Sequence, residues 1–150
     1  MSNFWKVSDA ATIALHAMTL LAAVDEKVST REIASRLRVS EAHLSKVLQR
    51  LHKAGLVDAI RGPGGGFALS RPGQKITLLE VYEAIEGRFT PSECLLGTPV
   101  CGGEKCIMGG LLETVDRQVK EYLSGTKLSE LVDVYRAEKA RTKRRVKSDK

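Results

Sequence analysis

The chain of 150 residues contains no run of 18 uninterrupted apolar residues, so no membrane-spanning helix is expected. No Gly-Lys-Ser/Thr accompanies its glycine-rich stretch, which excludes a nucleotide-hydrolase phosphate loop, and the glycine spacing fails the dinucleotide fingerprint. No Ser/His/Asp set and no paired carboxylates fall into a recognisable motif, so an enzyme is not expected. Cysteine is scarce: three residues, an odd number, argue against a structural disulfide framework. A secretion signal is also missing, because Met1-Ser2-Asn3-Phe4-Trp5-Lys6 lacks the basic-then-apolar order and the later apolar run carries His16 and Thr19. These absences give the expectation of a cytoplasmic protein with no membrane partner, built as one modest domain with an appendage.

What is present begins with Arg61-Gly62-Pro63-Gly64-Gly65-Gly66-Phe67. Leu56–Ile60 precedes it and Phe67–Ser70 follows, both short and partly alternating, which predicts a β-hairpin with a glycine-rich tip. Upstream, Ser29-Thr30-Arg31-Glu32 opens a short helix with Ile33, Ala34 and Leu37 inward. Val39-Ser40 turns the chain, and Ser40 caps a second helix whose Leu44, Val47, Leu48 and Leu51 face inward until Gly55 stops it. Helix, turn, helix and basic hairpin describe a winged helix, a DNA-binding design. The fold class is mainly α with a small β-hairpin wing: a winged helix-turn-helix plus a long dimerisation helix.

The second helix presents Glu41, Ala42, His43, Ser45 and Lys46 outward, where a recognition helix meets base edges in the major groove. Glu41 can accept from a cytosine amino group, Lys46 can reach guanine or phosphate, and Ser45 can serve either. Thr30, Arg31 and Ser40 join them as DNA-contact candidates, with Arg61, Gly64, Gly65 and Gly66 on the wing.

The net charge of +6 is unevenly spread. Residues 29–75 carry +6 and residues 76–135 carry −5, so the basic field lies on the helix-turn-helix and wing, where phosphates would be met. Residues 136–150 hold a further +6 and are expected to form a disordered, solvated tail.

Before the first of these helices, residues 9–24 form an almost continuously apolar helix with Asp9, Thr12, His16 and Thr19 on one face, its start capped by Ser8 or Asp9. Leu78–Gly87 predicts a short amphipathic helix ended by glycine. Further on, Met108, Leu112, Val115, Val119 and Tyr122 recur at alternating steps of four and three, the period of a helix-pairing seam. One DNA-reading unit per chain beside such a seam points to a homodimer on a palindromic operator of double-stranded DNA, although an intrachain core helix gives the same period. Leu128, Leu131, Val132 and Tyr135 mark a last short amphipathic helix. The expected division is 1–75 for DNA binding, 76–135 for the cysteine loop and dimerisation helices, and 136–150 for the tail.

All three cysteines, Cys94, Cys101 and Cys106, fall within thirteen residues in a turn-rich loop. Thiolates are soft ligands suited to an iron–sulfur cluster or to zinc. A structural zinc site usually shows a Cys-x-x-Cys knuckle, which is absent, and three cysteines leave one coordination position short for either metal. A thiol switch, or three cysteines with no shared task, stays open beside the cluster.

Ser8-Asp9-Ala10 opening an apolar helix, Val39-Ser40-Glu41-Ala42-His43-Leu44, Leu51-His52-Lys53-Ala54-Gly55-Leu56-Val57 and the glycine-rich wing together resemble the winged-helix iron–sulfur transcriptional regulators of the IscR/NsrR/CymR family, over about residues 1–135. The resemblance implies a homodimeric DNA-binding regulator, with an iron–sulfur cluster on Cys94, Cys101 and Cys106 held between the loop and a neighbouring subunit. In the IscR type a histidine follows the third cysteine by three residues, but Ile107, Met108 and Gly109 stand here. In the NsrR type an aspartate at the start of the first helix serves as fourth ligand, and Asp9 matches that place, so the pattern is nearest the NsrR type. Glu93, Glu104 and His16 are substitutes for that role. The six- and four-residue gaps between the cysteines depart from the family's commonest spacing.

The expected function is a repressor whose operator binding follows a cluster, 4Fe–4S before 2Fe–2S, that senses nitric oxide, redox state or iron supply. A clusterless regulator controlled by a partner protein or by thiol oxidation is the alternative within DNA binding. An iron–sulfur carrier protein is the alternative outside it.

Overall fold

A computed structural model of the protein describes residues 5–102 and 104–135. The expected basic tail, residues 136–150, lies outside the described residues. Among the described residues the main elements in chain order are α1 (Asp9–Val24), α2 (Thr30–Leu37), α3 (Glu41–Lys53), β1 (Val57–Ile60), β2 (Gly66–Leu69), α4 (Leu78–Glu86) and α5 (Leu111–Gly125). Single 3-10 turns occupy Gly73–Lys75 and Leu128–Leu131.

The apolar helix α1 is the centre of the molecule. Ala11, Ala14 and Ala17 are fully buried, and their small side chains let α3 and α4 pack closely against the α1 backbone. Thr19 is buried too, and its hydroxyl donates to the Leu15 carbonyl oxygen at 2.8 Å, which satisfies it within the helix. Ser8, not Asp9, caps the helix: its Oγ accepts the Ala11 N–H at 3.1 Å. Capping leaves Asp9 as an exposed first-turn carboxylate.

The helix-turn-helix forms as the sequence predicts. Ser29 Oγ accepts the Glu32 N–H and Ser40 Oγ accepts the His43 N–H, each cap worth about 1 kcal/mol. Between them Arg38 takes the left-handed conformation at φ 56°, and the Val39 N–H reaches back to the Ala34 carbonyl oxygen, ending α2 in a tight turn. Leu44, Val47, Leu48 and Leu51 are all buried, as their spacing requires.

The hairpin pairs β1 with β2 antiparallel, Val57 opposite Leu69 and Ile60 opposite Gly66. It is docked to the α1–α2 connection, since Val28 and Phe67 exchange both backbone hydrogen bonds at 2.9 Å. The core runs without a break through the expected boundary at residue 75, taking in Ile76, Leu78, Val81 and Ile85 alongside Met18, Leu21, Leu48 and Val57.

The segment after α5 opens with the 3-10 turn Leu128–Leu131, and residues 133–135, the last described, are again helical. The Leu78 N–H binds the Thr126 carbonyl oxygen and the Leu128 N–H binds that of Ile76, so the chain leaving α5 is held extended against the entry to α4. Leu128 is fully buried at that junction, and Leu131 and Tyr135 pack on the core beside it.

Candidate nucleic-acid interface and cysteine loop

On α3, Glu41, Ala42, His43 and Lys46 are exposed and Ser45 is half-buried; none of their side chains has a hydrogen-bond or ionic partner among the described residues. A helix of thirteen residues spans about 20 Å, and its first two turns carry all of these groups. Arg31 is exposed and Thr30 half-buried on the first turn of α2. Ser40 serves as the α3 cap, so its hydroxyl is already engaged with the His43 N–H at 3.3 Å.

Arg61 is exposed at the wing. The three adjacent glycines divide by role. A Cβ on Gly66 would stand 2.3 Å from the Val28 carbonyl oxygen, and one on Gly65 would stand 2.3 Å from that of Ile60, so both are required by the docking and closure of the hairpin itself. Gly64 lies at the open tip, where the Lys27 ammonium comes within reach of it. Lys27 is a basic group at the wing that the sequence alone did not single out. Only the Val28–Phe67 bridge, a pairing between segments far apart in sequence, brings it there.

Three of the basic residues between 29 and 75 serve the fold. Arg36 pairs with Glu32 at 2.7 Å, Arg50 donates to the Ile85 carbonyl oxygen at 2.5 Å, and Arg71 pairs with Glu80 at 3.2 Å. Arg71 therefore braces the base of the wing against α4. Helix α4 also accepts contacts from α1: Ser8 donates from both its N–H and its hydroxyl to Glu86 Oε1. Tyr82 adds a bond from its hydroxyl to the Lys6 carbonyl oxygen at 3.1 Å. Burial and the nearby carboxylates of Glu86 and Asp116 raise the Tyr82 phenol above its ordinary pKa.

None of the three cysteines is paired in a disulfide; Cys94 is half-buried, and Cys101 and Cys106 are exposed. Among the described residues no group of three Cys, His, Asp or Glu side chains is placed to hold a metal ion, so the structure does not bring Cys94, Cys101, Cys106 and Asp9 together. The loop from 90 to 110 is built of turns and bends with few backbone bonds, so spacing alone does not fix where its thiols stand. His16 donates from Nδ1 to the Thr12 carbonyl oxygen at 2.6 Å and is occupied there. Glu93 and Glu104 are exposed.

Of the five-residue seam, Met108 lies in the turn before α5, and the four residues on the helix are divided. Leu112 is buried and Val119 packs on the core, on the same face as Asp116 and Leu123. Val115 lies instead beside Leu111 and Tyr122, which are 49% and 60% exposed. At 100° per residue these three form a second apolar stripe about a quarter-turn from the first. The heptad-like period thus mixes an intrachain face with an outward one. No helix of the described residues is long and apolar enough to cross a membrane.

Comparison with known proteins agrees with this architecture. The Rrf2 family, described as "Iron-dependent Transcriptional regulator", matches residues 7–134. The HTH-type transcriptional regulator IscR of Cereibacter sphaeroides is 34% identical over 113 residues, covering 72% of each chain. Among solved structures, CymR, the global cysteine regulator of B. subtilis, is similar with a TM-score of 0.73 and 29% identity, covering 87% of this chain and 98% of that one. IscR of T. potens is similar with a TM-score of 0.66 and 26% identity, over 89% and 90% of the two chains. The intact helix-turn-helix and wing, which an iron–sulfur carrier would not need, agree with these relatives. The chain belongs to the Rrf2 family of winged-helix transcriptional regulators and is not an enzyme.

Proposed function

We propose that the protein is a homodimeric repressor that binds a palindromic operator through α3 and the wing and is controlled through its cysteine loop, with Cys94, Cys101, Cys106 and Asp9 as the ligands of an iron–sulfur cluster. The observation that carries the regulatory half is the placement of every thiol of the chain in one exposed loop directly before α5, the helix with an unpartnered apolar stripe. The donor set suits iron–sulfur chemistry, since soft thiolates and one carboxylate fill four positions; in the described geometry they stand apart. A bound cluster would supply iron that reacts with nitric oxide or oxidants. The chain's own residues supply the rest: Ser8 and Glu86 fix the start of α1, and α4 joins that point to the recognition helix through Arg50.

Because Ser8 is the cap, the Asp9 carboxylate is not engaged in capping and stands exposed on the first turn of α1, accessible for ligation. Anaerobic purification followed by an absorption spectrum tests the reading. Coloured protein is expected, with loss of colour in Cys94→Ala, Cys101→Ala and Cys106→Ala and an altered spectrum in Asp9→Ala. Stoichiometric zinc without iron or sulfide in reconstituted protein contradicts it.

A second reading, a clusterless regulator controlled by a partner protein or by thiol oxidation, is favoured by the separated thiols and by the likeness to the cysteine regulator CymR. Colourless protein whose DNA affinity follows oxidant would select it.

A further inference from the structure

Asp116 is the one charged side chain buried among the described residues, 3% exposed on the inward face of α5 between Leu112 and Leu123. A carboxylate in such a place is costly unless hydrogen-bonded. Its Oδ2 accepts the backbone N–H of Ser92 at 2.6 Å, across 24 residues, and Ser92 is itself buried. Ser92 stands two residues before Cys94. Three residues nearer α4, the Phe89 N–H is held in the same way by Glu83 Oε2 at 3.0 Å. The limb leading into the cysteine loop is therefore tied at two backbone amides by carboxylates from α4 and α5.

Among the described residues the returning limb has no such anchor. Cys106 makes only local contacts: its carbonyl oxygen accepts the Gly109 N–H and its Sγ lies 3.4 Å from the Met108 nitrogen. Between the two limbs lies a cavity of about 540 Å³, with Phe89, Ser92 and Asp116 on one side and Cys106 and Gly110 on the other. The thiols are thus unequal: Cys94 has a fixed approach, whereas Cys101 and Cys106 are exposed beside open space.

We propose that Asp116 is the positioning residue of the cysteine loop. It holds Cys94 as the stationary thiol toward which Cys101 and Cys106 close. Through Ser92 it also makes α5 the element strained or relaxed by that closure. The inference rests on the loop's being the regulatory site, but not on any metal being bound there.

The test is the alkylation rate of each thiol in the full, reduced chain with chelator present, read by mass spectrometry. In the wild type, Cys94 should react about tenfold more slowly than Cys101 and Cys106, because labelling requires local opening. Asp116→Ala should bring Cys94 close to the other two and leave those two unchanged. Asp116→Asn, whose amide oxygen still accepts the Ser92 N–H, should keep Cys94 slow. Ser92→Pro removes the donor instead of the acceptor, so in its folded form it should release Cys94 as Asp116→Ala does. Unchanged Cys94 labelling in the folded variants, or equal acceleration of all three thiols, overturns the proposal. Iron measured on the anaerobic preparation before chelator is added keeps the readings separate: iron-free wild type at that stage contradicts the cluster and leaves the labelling result standing.

Discussion

Arg50, in the last turn of α3, donates from its guanidinium to the Ile85 carbonyl oxygen at 2.5 Å and so ties the recognition helix to the end of α4. Within the same helix Glu80 holds Arg71 at the base of the wing, Glu83 holds Phe89 at the entry to the cysteine loop, and Glu86 holds Ser8 at the start of α1. One short helix thereby touches both DNA-facing elements and both segments proposed to carry cluster ligands. Arg50→Leu should cost about 1–2 kcal/mol, as loss of a charged hydrogen bond does, and lower the melting temperature by roughly 2–4 °C for each of those kcal/mol. Thermal melting checks it; an unchanged midpoint would mean the bond is made equally well by water.

The wing and recognition helix should separate by salt dependence. Arg61→Ala should weaken binding to all sequences and flatten the plot of log affinity against log salt by about one unit, if it neutralises one phosphate. Lys27→Ala should act in the same way, because Lys27 stands beside the wing tip. Glu41→Ala and Ser45→Ala should change which sequence is preferred and leave the slope nearly unchanged. Titrations at several salt concentrations on two operator sequences decide it.

Dimerisation should depend on the outward stripe of α5. Val115→Glu and Tyr122→Glu should give folded monomers with weakened operator binding, because both half-sites must be engaged together. Leu112→Glu should instead unfold the chain, since that side chain is 4% exposed in the core. Light scattering with circular dichroism distinguishes the two outcomes, and a dimeric Val115→Glu variant would place the interface elsewhere.

Alkaline stability should report on Tyr82. Its folded pKa lies above the ordinary value near 10, through burial first and then the Glu86 and Asp116 carboxylates, so the fold favours the neutral phenol. That contribution is fully present below about pH 10 and is lost as pH rises through the folded value. Tyr82→Phe should flatten this part of the profile. Denaturant midpoints between about pH 8 and 11 check it.

The winged helix was legible because each of its parts is locally encoded. Ser40 ahead of an apolar stripe at helical spacing, Gly55 behind it and a glycine-rich tip between two short strands need no distant partner. Long-range pairing was not legible. Neither the steric need for glycine at Gly65 and Gly66, set by the Ile60 and Val28 carbonyl oxygens, nor the pairing of Arg71 with Glu80 has a local signal. The α5 seam misled for a related reason. Two apolar stripes a quarter-turn apart produce nearly the same spacing as one, and burial of Leu112 separates them. The cysteine loop was legible as chemistry but not as geometry, because thiol type and number are fixed by sequence and their meeting is not.

Operator binding should be set by the state of the cysteine loop, and one titration decides it. Affinity for the operator is measured anaerobically on wild type as prepared, on wild type after nitric oxide or oxidant, and on Cys94→Ala, all at one salt concentration. The account predicts tight, sequence-specific binding in the first case, a loss of about tenfold or more after treatment, and a Cys94→Ala affinity equal to the treated wild type and indifferent to treatment. Equal affinity in all three samples, with operator preference intact, would contradict control through the loop and leave a winged-helix DNA-binding protein governed elsewhere.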